Sequence, residues 1–310
     1  MSFDREEAMM TGIQDGLGVV VGIDGFAPGD AALRWAAAEA AARGVPLTVC
    51  HVWRWPYPQW PGEEVPAEMA CRPARRMLDR SAAWAERNHP GLAVRTVLRQ
   101  GRSADVLAEL AGMAELLVVG TWDRSGPATL LHGSVSTWVA VRVRCPVVVV
   151  RGHSDPGGRR PVVVGFDGSP ESPAALDFAA GEAHLHHAPL RVLMADAHIG
   201  HEDSAASQIA RLQAEGKLWT ELWPWLHRYP GLEVRVEILD GSPRGELPAA
   251  AAQARLLVVG SRGMGELRGL LSGSVSQAVM RHAPCPVAVV HRGWESRSGH
   301  ADRIRLRPVA

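Results

Sequence analysis

The sequence has no excess of charge of either sign, because 33 Lys and Arg balance 33 Asp and Glu. That balance argues against a bulk basic surface for nucleic acid or for an anionic membrane, while leaving room for a local patch. No apolar stretch approaches the ~20 residues that a membrane span requires. Residues 1–16 carry acidic and basic side chains without a long apolar run and do not read as a signal peptide. Only four cysteines occur, Cys50, Cys71, Cys145 and Cys285, and none forms a CxxC pair. Cys145 and Cys285 each precede Pro-Val at a strand start and read as buried thiols, so a reduced, cytoplasmic setting is expected. Two phosphate-binding signatures are also missing. Without GxxxxGK[ST] a Walker-type NTPase is disfavoured, and no GxGxxG follows the first strand as a dinucleotide fold needs.

What is present is a duplication. Val19-Val20-Val21-Gly22-Ile23-Asp24-Gly25 returns 143 residues later as Val162-Val163-Val164-Gly165-Phe166-Asp167-Gly168. Leu116-Leu117-Val118-Val119-Gly120, Gly133-Ser134-Val135-Ser136 and Cys145-Pro146-Val147 each return after 140 residues. A chain of 310 residues with 46% apolar and 21% charged residues suits two globular domains. The repeat sets them at 16–151 and 161–291, joined by a Gly-rich and charged linker over 152–160. Residues 1–15 read as a loose arm. Residues 292–310 read as a mildly basic, solvated tail.

Each copy alternates strand and helix patterns. The first copy gives strands near 18–24, 46–52, 92–98, 115–120 and 146–150, with helices near 30–43, 66–88, 103–112 and 134–143. The second gives strands near 161–167, 189–195, 232–239, 255–260 and 286–290, with helices near 171–186, 203–228, 243–252 and 274–282. The first, fourth and fifth strands are continuous Val, Leu and Ile runs, as strands buried on both faces require. The expected fold class is therefore α/β: two tandem open five-stranded parallel sheets flanked by helices, with right-handed crossovers.

Such sheets bind ligands beyond the carboxyl ends of their strands, where strand order reverses. Asp24 and Asp167 stand just past the first strand of each copy, and a glycine-bearing loop follows each fourth strand. In the second copy that loop runs Gly260-Ser261-Arg262-Gly263, passes Gly265 and Gly269, and ends at Gly273-Ser274. Glycine permits close backbone approach, and the helix opening at Ser274 presents N–H groups at its positive end, where phosphate binds. A surface loop with a serine N-cap accounts for the same residues without a ligand. The matching aspartate and the repeat favour phosphate.

Gly-x2-Gly-x9-Gly-Ser after a strand, with Gly-x-Asp-Gly ending the first strand, resembles the universal stress protein family in its tandem form. The resemblance covers about 18–150 and 161–290 and implies Rossmann-like domains of the adenine nucleotide alpha hydrolase-like kind. For the second copy it implies ATP as the ligand, with Mg²⁺ as an optional companion. Gly165, Asp167 and Ala195 would meet the adenosine. Gly260, Ser261, Arg262, Gly263 and Gly265 would approach ribose and phosphates, and Gly273, Ser274, Val275 and Ser276 would hold phosphates. Gly22, Asp24, Val52, Gly120, Gly133, Ser134, Val135 and Ser136 are the first copy's candidates. That copy departs from the motif at Asp123, preceded by Trp122, where a carboxylate would repel phosphate; Gly126 offers a partial remedy.

No general base stands beside a nucleophile, so little or no catalysis is expected. Asp196 mimics a ribose-binding acid but lacks the glycine turn that would give it meaning. His184, His186, His187, His198 and His201, with Glu202 and Asp203, do not form a recognisable metal spacing, and no metal site is expected. Trp53, Trp55, Tyr57 and Trp60 either cap the core or fold over a ligand or partner. The function expected is that of an ATP-binding regulator or sensor in a stress response. The alternatives are a partner-binding module with degenerate sites and a slow ATP hydrolase. The resemblance also implies pairing of the copies through their fifth strands and a homodimer of tandem chains. An unknown protein partner is expected, and neither nucleic acid nor membrane.

Overall fold

The computed structural model describes residues 16–54, 67–121, 134–151, 159–196, 205–262 and 273–294. The chain divides into two compact units, Met1–His153 and Ser154–Ala310. Unit 1 contains β1 (Val19–Gly22), α1 (Ala27–Arg43), β2 (Leu47–Trp53), α2 (Ala67–Asn88), β3 (Val94–Gln100), α3 (Ser103–Ala111), β4 (Leu116–Thr121), α4 (Ser134–Arg142) and β5 (Val147–Arg151). Unit 2 contains β6 (Val162–Gly165), α5 (Ser172–Leu185), β7 (Leu190–Asp196), α6 (Ala205–Arg228), β8 (Val234–Asp240), α7 (Pro243–Ala250), β9 (Leu256–Gly260), α8 (Ser274–His282) and β10 (Val287–Val290).

Every boundary lies within three residues of the sequence expectation. The largest departure is α1, which starts at Ala27 rather than 30. Pro28 falls in its first turn, where a missing N–H breaks no helix bond. Strands run parallel throughout each unit, in the order β3-β2-β1-β4-β5 in unit 1 and β8-β7-β6-β9-β10 in unit 2. Strand order therefore reverses between β1 and β4, and again between β6 and β9.

The central strands carry the cores. Val19, Val20, Val21, Leu116, Leu117 and Val118 are fully buried, as are Val162, Val163, Val164, Leu257 and Val258. The outer strands β3 and β8 are mostly half-buried or exposed, with one buried residue each, as edges are. In unit 2, α5 packs on β6, β9 and β10 and touches α6, while α7 packs on β7 and touches α8. Right-handed crossovers running in opposite directions from β6 place these two helix pairs on opposite faces of the sheet. The starts of α5 and α8 thus arrive at the carboxyl ends of β6 and β9 from the two sides. Among the described residues, no helix is long and apolar enough to cross a membrane.

Candidate functional site

Strand registers shape a notch in unit 2. Gly165 ends β6 opposite Leu193 of β7, but β7 continues through Met194 and Ala195 to Asp196. On the other side Val164 pairs with Val258, and β9 runs on to Gly260. The short central strand leaves its neighbours standing above it. Ala195, half-buried, lies on one of the overhanging walls.

Asp167 sits at the rim of this notch, and its carboxylate is held in place. Oδ1 accepts the Ser169 N–H at 2.9 Å and the Ser172 hydroxyl at 2.7 Å. The Ser172 Oγ also receives the Asp167 N–H at 3.3 Å. Gly168 turns the chain at φ +73°, a conformation that favours glycine. Asp167 therefore belongs to the turn that starts α5 as well as to the rim. Sequence reading missed Ser169 and Ser172. Their spacing from the aspartate was a visible cue, because serine near a helix start bonds local backbone and side chains.

The opposite wall is the junction of β9 and α8. The Gly273 N–H donates to the Ser261 carbonyl at 3.0 Å, and the Ser261 N–H donates to the Val290 carbonyl at 2.8 Å. Ser261 and Gly273 are thus tied together at the strand end. Gly273 is the N-cap of α8 and has no side chain to offer its first turn. The Ser276 hydroxyl is buried and donates to the Gly273 carbonyl at 2.9 Å, with Ser261 O at 3.4 Å. Ser276 therefore fixes the helix start, while Ser274 is exposed and Val275 half-buried there. Ser261 is buried and Arg262 exposed. Gly263 and Gly265 lie outside the described residues.

Two glycines of the expected site also have close protein neighbours. A Cβ on Gly260 would stand 2.9 Å from the Glu171 Cβ and 3.1 Å from the Arg262 carbonyl oxygen. One on Gly165 would stand 2.9 Å from Leu247 Cδ1. These glycines let α5 and α7 close onto the strand ends.

Unit 1 repeats the frame with different fittings. Gly22 ends β1 against Leu107, whose methyl carbons would lie 3.2 Å from an added Cβ. Asp24 is exposed and accepts the Phe26 N–H at 3.0 Å. Phe26 and Gly29 stand where unit 2 has Ser169 and Ser172, so the hydroxyl partner of the aspartate is absent from that position. The His51 Nδ1 lies 2.8 Å from the Ile23 carbonyl oxygen beside this rim. Val52 is half-buried on β2, and Gly120 is half-buried near the end of β4. Val135 is half-buried and Ser136 buried at the start of α4, which begins at Ser134. Gly133, Trp122, Asp123, Gly126, Trp55, Tyr57 and Trp60 lie outside the described residues.

Of the histidines considered for metal, His186 has its Nε2 3.9 Å from the Glu182 carboxylate. His184 tilts against Tyr229 with ring centroids 5.1 Å apart, and the His186 Nδ1 lies 3.0 Å from the Arg255 guanidinium. His187 adopts φ +50° in the turn after α5. His198, His201, Glu202 and Asp203 lie outside the described residues.

Comparison with known proteins bears on this arrangement. The family model described as "Universal stress protein family" matches residues 18–151 and again 158–291. A universal stress protein of Mycobacterium tuberculosis is 36% identical over 297 residues, covering 89% of this chain and 97% of that one. One from Mycolicibacterium smegmatis is 34% identical over 284 residues, covering 88% and 96%. Among solved structures, a universal stress protein from Archaeoglobus fulgidus superposes with a TM-score of 0.67 at 21% identity, covering 89% of this chain and 96% of that one. At that identity the superposition speaks to the fold alone. With two family matches spanning most of its length, this chain belongs to the universal stress protein family.

Proposed function

We propose that the chain is an ATP-binding regulator whose working site is the notch at the carboxyl ends of β6 and β9 in unit 2. The observation that carries this reading is the β9–α8 junction, where the Gly273–Ser261 bond sets a helix start without an N-cap side chain at the edge of the notch. A helix start of this kind favours phosphate through its N–H groups and dipole. Asp167, held by Ser169 and Ser172 across the notch, would meet the adenosine end near Ala195. ATP is the proposed ligand, with or without Mg²⁺. Among the described residues no nucleophile–base pair supports efficient turnover, so the output would be a shift between two conformations or assemblies with different affinity for ATP. Asp123 in the motif of unit 1 favours a weaker site there, and with it a second reading in which that unit serves partner binding.

The test is ATP titration of the nucleotide-free chain beside Gly273→Glu. Gly273 has φ −63° and ψ 139°, a conformation open to any residue. The variant should keep its circular dichroism spectrum and lose binding at unit 2, because a carboxylate would occupy the phosphate position. Unchanged affinity in a folded variant refutes the placement.

A further inference from the structure

The outer side of α6 exposes four large apolar side chains: Ile209 at 55%, Leu212 at 67%, Trp219 at 42% and Trp223 at 63%. With Gly216 they follow alternating steps of three and four residues, which aligns all five along one narrow stripe. The side of α6 that bears Leu218 and Leu222 is buried within unit 2. The helix therefore has two apolar faces, one of them turned to water. The matching positions of α2, 140 residues earlier, are Met69, Arg72, Arg76, Asp79 and Ala83. The stripe is a property of this helix and not of the repeat.

Gly216 adds a second observation. It lies inside α6, and a Cβ there would meet nothing within 4 Å. Among the described residues nothing requires glycine there, although glycine in a helix interior costs about 1 kcal/mol relative to alanine. A close-approaching neighbour would account for it.

The spacing identifies the kind of neighbour. A seam confined to heptad a and d positions is the face one helix offers another. Laid antiparallel on its own copy, about a two-fold axis between Lys217 and Leu218, the stripe brings a positions opposite d positions. Gly216 then faces the partner's Trp219 and Leu212 faces the partner's Trp223, both pairs lying before Pro224. The absent side chain makes room for an indole. Along the flanks Gln213 faces the partner's Thr220 and Glu215 faces the partner's Leu222, so no like charges confront each other. Surface helices that lie on lipid carry a basic flank; here Gln208, Gln213, Thr220 and His227 border the stripe.

We propose that the outer face of α6 is a homotypic docking surface, through which two copies of this chain associate by antiparallel helix pairing. Closed two-fold association follows from a patch that is complementary to itself.

Sedimentation equilibrium of the full chain tests this. The expected mass is that of two copies of the 33.3 kDa chain. Trp219→Lys, on an exposed position, should keep the fold by circular dichroism and weaken association by at least about tenfold. Orientation is read by oxidising an equimolar mixture of Gly216→Cys and Trp219→Cys chains. The 216–219 heterodisulfide should exceed either homodisulfide, and the four native cysteines are buried and do not compete. A chain that stays a single copy overturns the proposal. So does a dimer whose mass Trp219→Lys leaves unchanged, a dominant 216–216 disulfide, or a stripe that binds phosphatidylcholine vesicles in place of a second copy.

Discussion

Glycine at position 260 has a packing role that spacing does not disclose. The motif marks it as a place where a ligand approaches, yet the atoms nearest its missing Cβ belong to Glu171 and Arg262. Gly260→Ala should therefore destabilise the nucleotide-free protein by about 1–3 kcal/mol, since overpacking must displace backbone or α5. A urea midpoint equal to that of the wild type would show that the contact yields freely. The thiols of Cys50, Cys145 and Cys285 are each pushed up to about 12 by burial. In the unfolded chain they ionise near 9.0. A raised folded value means that their contribution is whole below about pH 9 and is lost as pH climbs toward 12. Lys217 is the sole lysine and there are two tyrosines, so few other groups titrate in that window. The urea midpoint should fall between pH 8 and pH 11. That fall should be shallower when the three cysteines are replaced by alanine. Parallel profiles for the two proteins would contradict this account.

At the scale of the element, most of the fold was legible because its signals are periodic and local. Continuous Val and Leu runs gave the central strands, and the alternation of strands with helices gave a parallel sheet. Strand ends were less so. How far β7 and β9 overhang β6 depends on register between strands distant in sequence, and no pattern within one strand encodes it. The turn that opens α5 shows the same limit. The Gly-x-Asp-Gly motif drew attention to Asp167, whereas the spacing of Ser169 and Ser172 marks only a helix start, and their bonds to its carboxylate need the folded turn. Ser172→Ala removes a bond to a charged group and should cost about 1–2 kcal/mol. It should also weaken ATP binding at unit 2 by loosening the carboxylate, which keeps the Ser169 N–H. Loss of stability with unchanged ATP affinity would confine Ser172 to a structural role. Likewise Gly216 attracted no notice in a sequence rich in glycine, because its significance lies in the open space around it.

For the whole molecule, duplication has produced two frames with unequal fittings. Both units end a central strand in glycine and follow it with an aspartate in a tight turn. Unit 2 keeps serines on that aspartate, while unit 1 has Phe26 and Gly29 in their place. Unit 1 also carries Asp123 where unit 2 carries Gly263. The inequality predicts division of labour: one unit binds nucleotide tightly, and the other contributes weakly or serves another purpose. The most direct measurement is the nucleotide content of the purified chain, released by denaturation and separated by chromatography, followed by ATP titration of the stripped protein. The account predicts about one ATP per chain, lost in Gly273→Glu, because unit 2 keeps Gly263 at the motif position where unit 1 carries the carboxylate of Asp123. A chain that carries no nucleotide and binds none on titration would contradict it.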